Sequence, residues 1–155
     1  MSTQEKIEVG IRIASIKTLK FLIDNSDEAS KTDRASFQFN IALATYINVE
    51  KKTIGFDVIL DLFTDKEMKN HVAEFISRIE YAIVNFEHAV VKKEKEIVVA
   101  DGVMITLISI ALSTARGMFA SKIEGSALEG VYLPILNPSN FKPLNKNPTD
   151  EQPHS

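Results

Sequence analysis

Residues 37–62 read FQFNIALATYINVEKKTIGFDVILDL, and the alternation inside them decides the fold class. Phe37, Phe39, Ile41, Leu43, Ile47 and Val49 share one parity, with Thr45 interrupting, while Gln38, Asn40, Tyr46 and Asn48 take the other. Ile54, Phe56, Val58, Leu60 and Leu62 then alternate against Gly55, Asp57 and Asp61. Successive side chains of a strand point to opposite faces, so each run gathers its apolar residues on one face. The charged tip Glu50-Lys51-Lys52 joins the two runs. Together they predict an antiparallel hairpin with one buried face.

Before the hairpin, residues 7–23 begin with the same alternation, in Ile7, Val9, Ile11 and Ile13. The phase slips at Ile16 and slips again before Leu19, Phe21 and Ile23. A bulged strand accounts for such slips, because each extra residue turns the next side chain to the other face. A short helix is the alternative. Residues 24–35 form a polar loop without apolar periodicity. Residues 67–91 admit two readings. Met68, Val72, Phe75, Ile79, Ile83, Phe86 and Val90 recur at helical steps, yet Phe75, Ile79, Tyr81 and Ile83 share a strand parity. The many β-branched and aromatic residues favour a strand, and periodicity alone leaves both open.

Residues 92–96, KKEKE, make a charged break, and 97–123 are expected to form one long helix. Its small and polar residues, Gly102, Thr106, Ser109, Ser113 and Gly117, fall on one stripe, and nearly everything else between Val103 and Ala115 is apolar. A helix apolar most of the way round must be covered on most sides. A four-stranded sheet covers only one. The stripe is therefore expected to be an oligomer interface, in a homotetramer built as a dimer of dimers. Gly125 and Gly130 bracket the helix exit. Residues 131–141, VYLPILNPSNF, are extended and apolar, kept out of a helix by Pro134 and Pro138. Residues 142–155 are polar with three prolines and are expected to be a disordered tail. The division is thus one domain over 1–141 and a tail over 142–155.

The chain of 155 residues is about one domain's length. Its 18 Lys and Arg against 21 Asp and Glu leave a formal charge of −3, which argues against nucleic-acid binding and against a polybasic membrane anchor. Absence of cysteine excludes disulfides, Cys-ligated zinc, iron–sulfur clusters and thiol catalysis. The polar start, Met1 to Lys6, lacks the basic-then-apolar order of a signal peptide. The longest uncharged apolar run, Gly102 to Ala115, would span only about 21 Å as a helix, against about 30 Å for a bilayer core. A soluble, cytoplasmic protein without direct membrane insertion is expected.

Catalytic chemistry finds no foothold. His71, His88 and His154 are not spaced as a metal pair. Asp57 and Asp61 share a face, but opposite the apolar parity, so a solvated outer face is expected for them. Glu87 and His88 are neighbours, and neighbours on a strand point apart. Gly125 and Gly130 have P-loop spacing, but Val131 and Tyr132 stand where Lys and Ser or Thr are required. No GxSxG elbow is present. With no catalytic residue, metal site or cofactor motif, a binding protein is expected rather than an enzyme.

The order of elements, four strand-forming segments, a long apolar helix and an extended proline-containing segment, resembles the SecB family of export chaperones. Ala115-Arg116 matches that family's Ala-Arg within the long helix, and residues 133–141, LPILNPSNF, resemble its aromatic-Pro, leucine-rich, Pro-x-Asn-Phe loop. The resemblance spans most of residues 10–141. It implies an α+β fold with a four-stranded antiparallel sheet packed by a long helix, and it makes 70–87 the fourth strand. The implied function is an ATP-independent holdase for unfolded polypeptides, serving export or quality control.

Client-binding candidates are then Tyr132, Leu133, Ile135, Leu136 and Phe141 of the extended segment, with Phe37, Phe39 and Phe56 of the sheet. Core packing is the competing reading for the sheet residues and equally for 132–136. Several features depart from the family: its Cys-Pro and Phe-Pro are missing between Leu107 and Ala115, and only the tail stands where it carries a second helix. Asp24 matches one member of the acidic patch that docks the SecA motor, but Lys20 and Arg78 stand where acids are expected. Two alternatives remain: a dedicated chaperone of a toxin–antitoxin system, and a structural or small-ligand-binding protein of the same fold.

Overall fold

A computed structural model describes residues 8–141 and the pair Leu144–Asn145. The tail expected over 142–155 lies outside the described residues apart from that pair, and so does His154. Strand β1 (Gly10–Ile23) leads through a short helix α1 (Asp27–Lys31) and a 3-10 turn, Arg34–Ser36, to β2 (Gln38–Asn48), β3 (Thr53–Phe63) and β4 (His71–Val84). A one-turn helix α2 (Phe86–Ala89) and a small hairpin, β5 (Val90–Lys93) with β6 (Glu96–Val99), precede the long helix α3 (Asp101–Ile123). After it come a segment that is neither helix nor strand, a 3-10 turn at Pro138–Asn140 and the two-residue strand β7 (Leu144–Asn145).

Spatially the main sheet runs β1-β4-β3-β2-β7. Strands β2, β3 and β4 are joined as an antiparallel meander, and β1 lies antiparallel beside β4, so the connection between β1 and β2 crosses from one side of the meander to the other. This is Greek-key connectivity. The slips in β1 are two bulges. Pairing with β4 shifts between Ile13 and Ser15 and again between Thr18 and Lys20, leaving Ala14 and Leu19 as the extra residues. They return Ile11, Ile13, Ile16, Thr18, Phe21 and Ile23 to positions opposite Ile83, Tyr81, Ile79, Ser77, Phe75 and Ala73, on the helix side of the sheet.

The ambiguous segment is the strand β4, with Phe75, Ser77, Ile79, Tyr81 and Ile83 buried on one face. The expected start of the long helix at residue 97 is corrected. Residues 96–99 are strand β6, paired with β5 from Val90↔Val99 to Lys93↔Glu96, and the helix begins at Asp101. The β-branched run Ile97-Val98-Val99 is stiff at χ1 and suits a strand, and Val90-Val91 supplies the partner. The KKEKE break spans the end of β5, the turn at Glu94-Lys95 and the first residue of β6. The polar loop at 24–35 also contains α1, whose Ser26 cap accepts from the Ala29 amide at 3.4 Å.

Helix α3 lies over β3 and β4. Leu107, Ile108, Ala111, Leu112 and Ala115 pack with Phe56, Ile79 and Tyr81 in one cluster, while Phe119 and Ile123 join Leu60, Leu62 and Phe75 in a second. At 23 residues α3 is long and apolar enough to cross a membrane by length and composition, more than the uncharged run Gly102–Ala115 suggests; here one side of it is packed on the sheet. The chain leaves the helix through Gly125 and Gly130, at φ of 76° and 87°, a region that glycine enters without a side-chain penalty. That exit is tied to the β1–β2 connection. Arg34 Nη2 donates to the Ala127 carbonyl at 2.9 Å, and the Ala127 amide donates to Asn25 Oδ1 at 2.7 Å.

Candidate functional site

Beyond the helix exit, residues 131–136 form neither helix nor strand and lie against the body of the protein. Val131 and Leu133 turn inward and join the second core cluster, while Tyr132 and Ile135 turn outward, 66% and 90% exposed. Leu136 and Phe141 pack partly against the first cluster, beside which Ile41 and Ile47 of β2 also lie. Pro134 has no amide hydrogen, so this stretch cannot close a regular ladder. Arg116 of α3 reaches the segment from beneath, Nη2 donating to the Pro134 carbonyl at 3.3 Å. A charge-assisted hydrogen bond from a helix to an otherwise unpaired backbone carbonyl holds the strip in place. Asn137 Oδ1 accepts from the Ser139 amide at 3.0 Å and stiffens the following turn.

The candidates separate by exposure. Phe56 is fully buried, and Phe37 and Leu133 are core residues as well. Phe39, Leu136 and Phe141 are half-buried, and only Tyr132 and Ile135 stand out as large exposed groups. The five stripe residues of α3, Gly102, Thr106, Ser109, Ser113 and Gly117, are all exposed on the side away from the sheet, next to Ile105. No charged side chain occurs in the helix between Asp101 and Arg116. A second apolar exposure is the helix-side face of β1. Ile13 and Ile16 sit in register with buried Tyr81 and Ile79, yet they are 50% and 44% exposed, whereas Phe21 and Ile23 further along β1 pack with Phe119 and Ile123 of α3. Alternation shows that they share a face with the core but not that the face lacks a cover.

The outer face of the sheet is charged and internally paired. Asp57, expected to be solvated, is only 7% exposed. It accepts from Arg78 Nε at 2.7 Å, from Arg78 Nη2 at 3.0 Å and from the Tyr46 hydroxyl at 2.7 Å. The Arg78 guanidinium also covers the Tyr46 ring at 4.8 Å. Burial, with the neighbouring Asp57 carboxylate, raises the Tyr46 phenol above its ordinary range, and the Asp57 hydrogen bonds hold Arg78 firmly charged. Lys20 meets Glu74 at 3.0 Å, and His71 meets Asp61 at 2.8 Å. Cross-strand pairing thus neutralises the cations that replace the expected acids.

An apolar groove of about 420 Å³ opens between the β2–β3 tip and the β5–β6 hairpin, lined by Val49, Phe86, Val90 and Ile97, with the Lys52–Glu87 pair at its rim. Among the described residues no group of three His, Asp or Glu side chains could hold a metal ion.

A four-stranded antiparallel sheet, the meander with β1, covered by one long helix and followed by a proline-containing segment, defines an α+β fold. Among solved structures the chain is similar to the Mycobacterium tuberculosis SecB-like chaperone Rv1957, in complex with a ChAD peptide from the Rv1956 HigA1 antitoxin. The match has a TM-score of 0.52, covers 81% of this chain and 87% of that one, and carries 11% sequence identity. The likeness is therefore one of fold. No protein-family model and no curated protein sequence matches the chain.

Proposed function

We propose that this protein is a polypeptide-binding chaperone, an ATP-independent holdase for unfolded chains, and not an enzyme. The observation that carries the reading is the strip at 131–136, with Tyr132 and Ile135 turned to solvent on backbone held by Arg116. Large apolar groups left exposed on an ordered strip are available for contact with an extended client. Burying apolar area contributes about 25 cal/mol per Å², and many such contacts together offset the cost of ordering an unfolded segment without requiring a particular sequence. The fold neighbour, a chaperone solved with a peptide, supports this reading. Its peptide comes from an antitoxin, which favours one variant in particular: a dedicated chaperone of a toxin–antitoxin system.

The reading includes a cytoplasmic homotetramer built as a dimer of dimers, with α3 in an interface and not in a membrane. Such an assembly needs two contact surfaces. The uncharged outward side of α3 and the open apolar face of β1 supply candidates for both. Docking to the SecA motor is not favoured by the outer face, where Lys20 and Arg78 are already paired with Glu74 and Asp57.

Aggregation of several chemically unfolded clients, followed by light scattering without ATP, tests the function. Slowed aggregation at a stoichiometric amount of tetramer is expected, and absence of protection for every client would reject the holdase. Mass measurement in solution tests the assembly. The parent should be tetrameric at micromolar concentration, and Ser109→Arg should yield smaller species, because it would bury an unpaired charge. A parent that stays monomeric would contradict the interface assignment.

A further inference from the structure

The groove between the β2–β3 tip and the β5–β6 hairpin lies apart from the strip at 131–136 and shares no residue with it. Val49, Phe86, Val90 and Ile97 form its walls, and two lysines, Lys52 and Lys92, line it with one acid, Glu87. Its volume of about 420 Å³ suits a small molecule, and such sites are mostly apolar with a few placed polar groups. Backbone hydrogen bonds fix both banks. The Ile83 amide donates to the Lys52 carbonyl at 3.1 Å, which ties the tip to β4. The Ala100 amide donates to the Ala89 carbonyl at 2.8 Å, which ties the base of the hairpin to α2.

Register places Lys92. Val90 pairs with Val99 and Lys92 with Ile97, so these four share one face of the hairpin, and Val91, Lys93, Glu96 and Val98 share the other. The first face carries the wall residues Val90 and Ile97 and the buried Val99, so Lys92 is the one charged member of an apolar face. A lysine so placed lays its methylene stem along apolar surface and keeps its ammonium in water.

The charges lining the groove do not cancel. Lys52 Nζ meets Glu87 Oε1 at 3.3 Å, and hydrogen bonds from its own amide and from Lys52 hold the Glu87 carboxyl below its usual range. Lys92 has no ion-pair partner among the described residues. Two cations against one carboxylate leave a single positive charge beside an apolar recess. A molecule with an apolar body and one negative charge complements both features.

We propose that this groove binds a small apolar monocarboxylate, an acyl-chain acid, with the chain against Val49, Phe86, Val90 and Ile97 and the carboxylate at Lys92. The inference goes beyond the holdase reading and does not depend on it. The chain contributes through burial of apolar area, and Lys92 selects the sign of the head group.

Decanoate below its micellar concentration is the probe, with decyltrimethylammonium as a similar chain of opposite charge. Binding to the full chain is followed by methyl NMR, which separates Val49, Val90 and Ile97 of the groove from Leu133 and Ile135 of the strip. Decanoate should shift the groove methyls saturably and bind about 5-fold or more tighter than the cation, since attraction at one exposed lysine is replaced by repulsion. Lys92→Met should weaken decanoate about 2- to 5-fold, and Lys92→Glu should reverse the preference between the two probes. Val49→Asp should also weaken decanoate, by placing an acid in the wall. Lys92 and Val49 are both exposed, so these variants should melt with the parent. Absence of saturable groove shifts would overturn the proposal, as would equal affinity for the two probes or equal decanoate affinity in the parent and Lys92→Met. Shifts confined to Leu133 and Ile135 would overturn it too, and would leave the strip as the apolar binding surface that the holdase reading requires.

Discussion

Strand β3 and the strip 131–136 are built from the same kinds of residue and meet opposite fates. In β3, Ile54, Phe56, Val58, Leu60 and Leu62 are sealed under α3, and the opposite face buries Asp57 in its pairing with Arg78 and Tyr46. In the strip, Val131 and Leu133 are sealed, while Tyr132 and Ile135 are left in solvent. The difference comes from neighbours rather than hydrophobicity. β3 has a strand on each side and a helix above. The strip has Pro134 and a single side-chain anchor from Arg116. Apolar groups in the first setting supply stability; in the second they stand exposed, as the proposed client contact requires.

Substitutions in the two regions should therefore separate stability from client protection. The largest effect is expected from Phe56→Ala, which empties a fully buried site and should cost about 3–5 kcal/mol in urea unfolding. A loss below about 1 kcal/mol would show that the β3 core is not packed as described. Asp57→Asn comes next, at about 2 kcal/mol, because it leaves the Arg78 guanidinium without its counter-charge. Tyr46→Phe removes one hydrogen bond to Asp57 and should cost about 1 kcal/mol.

The last variant also carries a pH signature. Because burial and the Asp57 carboxylate hold the folded Tyr46 phenol above its ordinary range, its contribution is whole below about pH 10 and lost as pH rises through the folded value. The parent should lose stability more steeply than Tyr46→Phe above about pH 10, and parallel curves from pH 8 to 11 would rule the network out as the source. The smallest effect on stability should come from Ile135→Ser, within about 0.5 kcal/mol, as for an exposed site. A larger loss would mean that Ile135 is packed against something, and the contrast between the two regions would fail.

Alternation carried most of the sheet. The hairpin at 37–62 and the presence of slips in β1 are legible, because a phase slip in a strand has a direct structural meaning; Leu19, which the pattern groups with Phe21 and Ile23, is instead the extra residue of the second bulge. The fourth strand was not decided by periodicity, since spacings of three and four occur in β4 alongside its strand parity. Its pairing with both β1 and β3 makes it a strand, and such neighbours are invisible locally. The β5–β6 hairpin was missed because Ile97-Val98-Val99 continues smoothly into the apolar run of α3. At Asp57 alternation shows the outer face but not its cover, because Arg78 lies 21 residues away in sequence.

For the candidate site, the strip itself was legible from Pro134 and Pro138, and its sorting into buried Leu133 and exposed Ile135 was not. Pattern shows which residues share a face; only the assembled fold shows which face is left uncovered. The same limit applies to Ile13 and Ile16, which share a face with the core but stand exposed.

The most direct test of the account is a comparison of the parent with Tyr132→Ser/Ile135→Ser in suppressing aggregation of a chemically unfolded client without ATP. The double variant should keep the parent's mass in solution and its melting curve, because both side chains lie outside the core. Its protection should fall several-fold, the loss of two large apolar contacts at about 25 cal/mol per Å². Equal protection by the two proteins, each shown to be folded, would contradict the assignment of client contact to this strip.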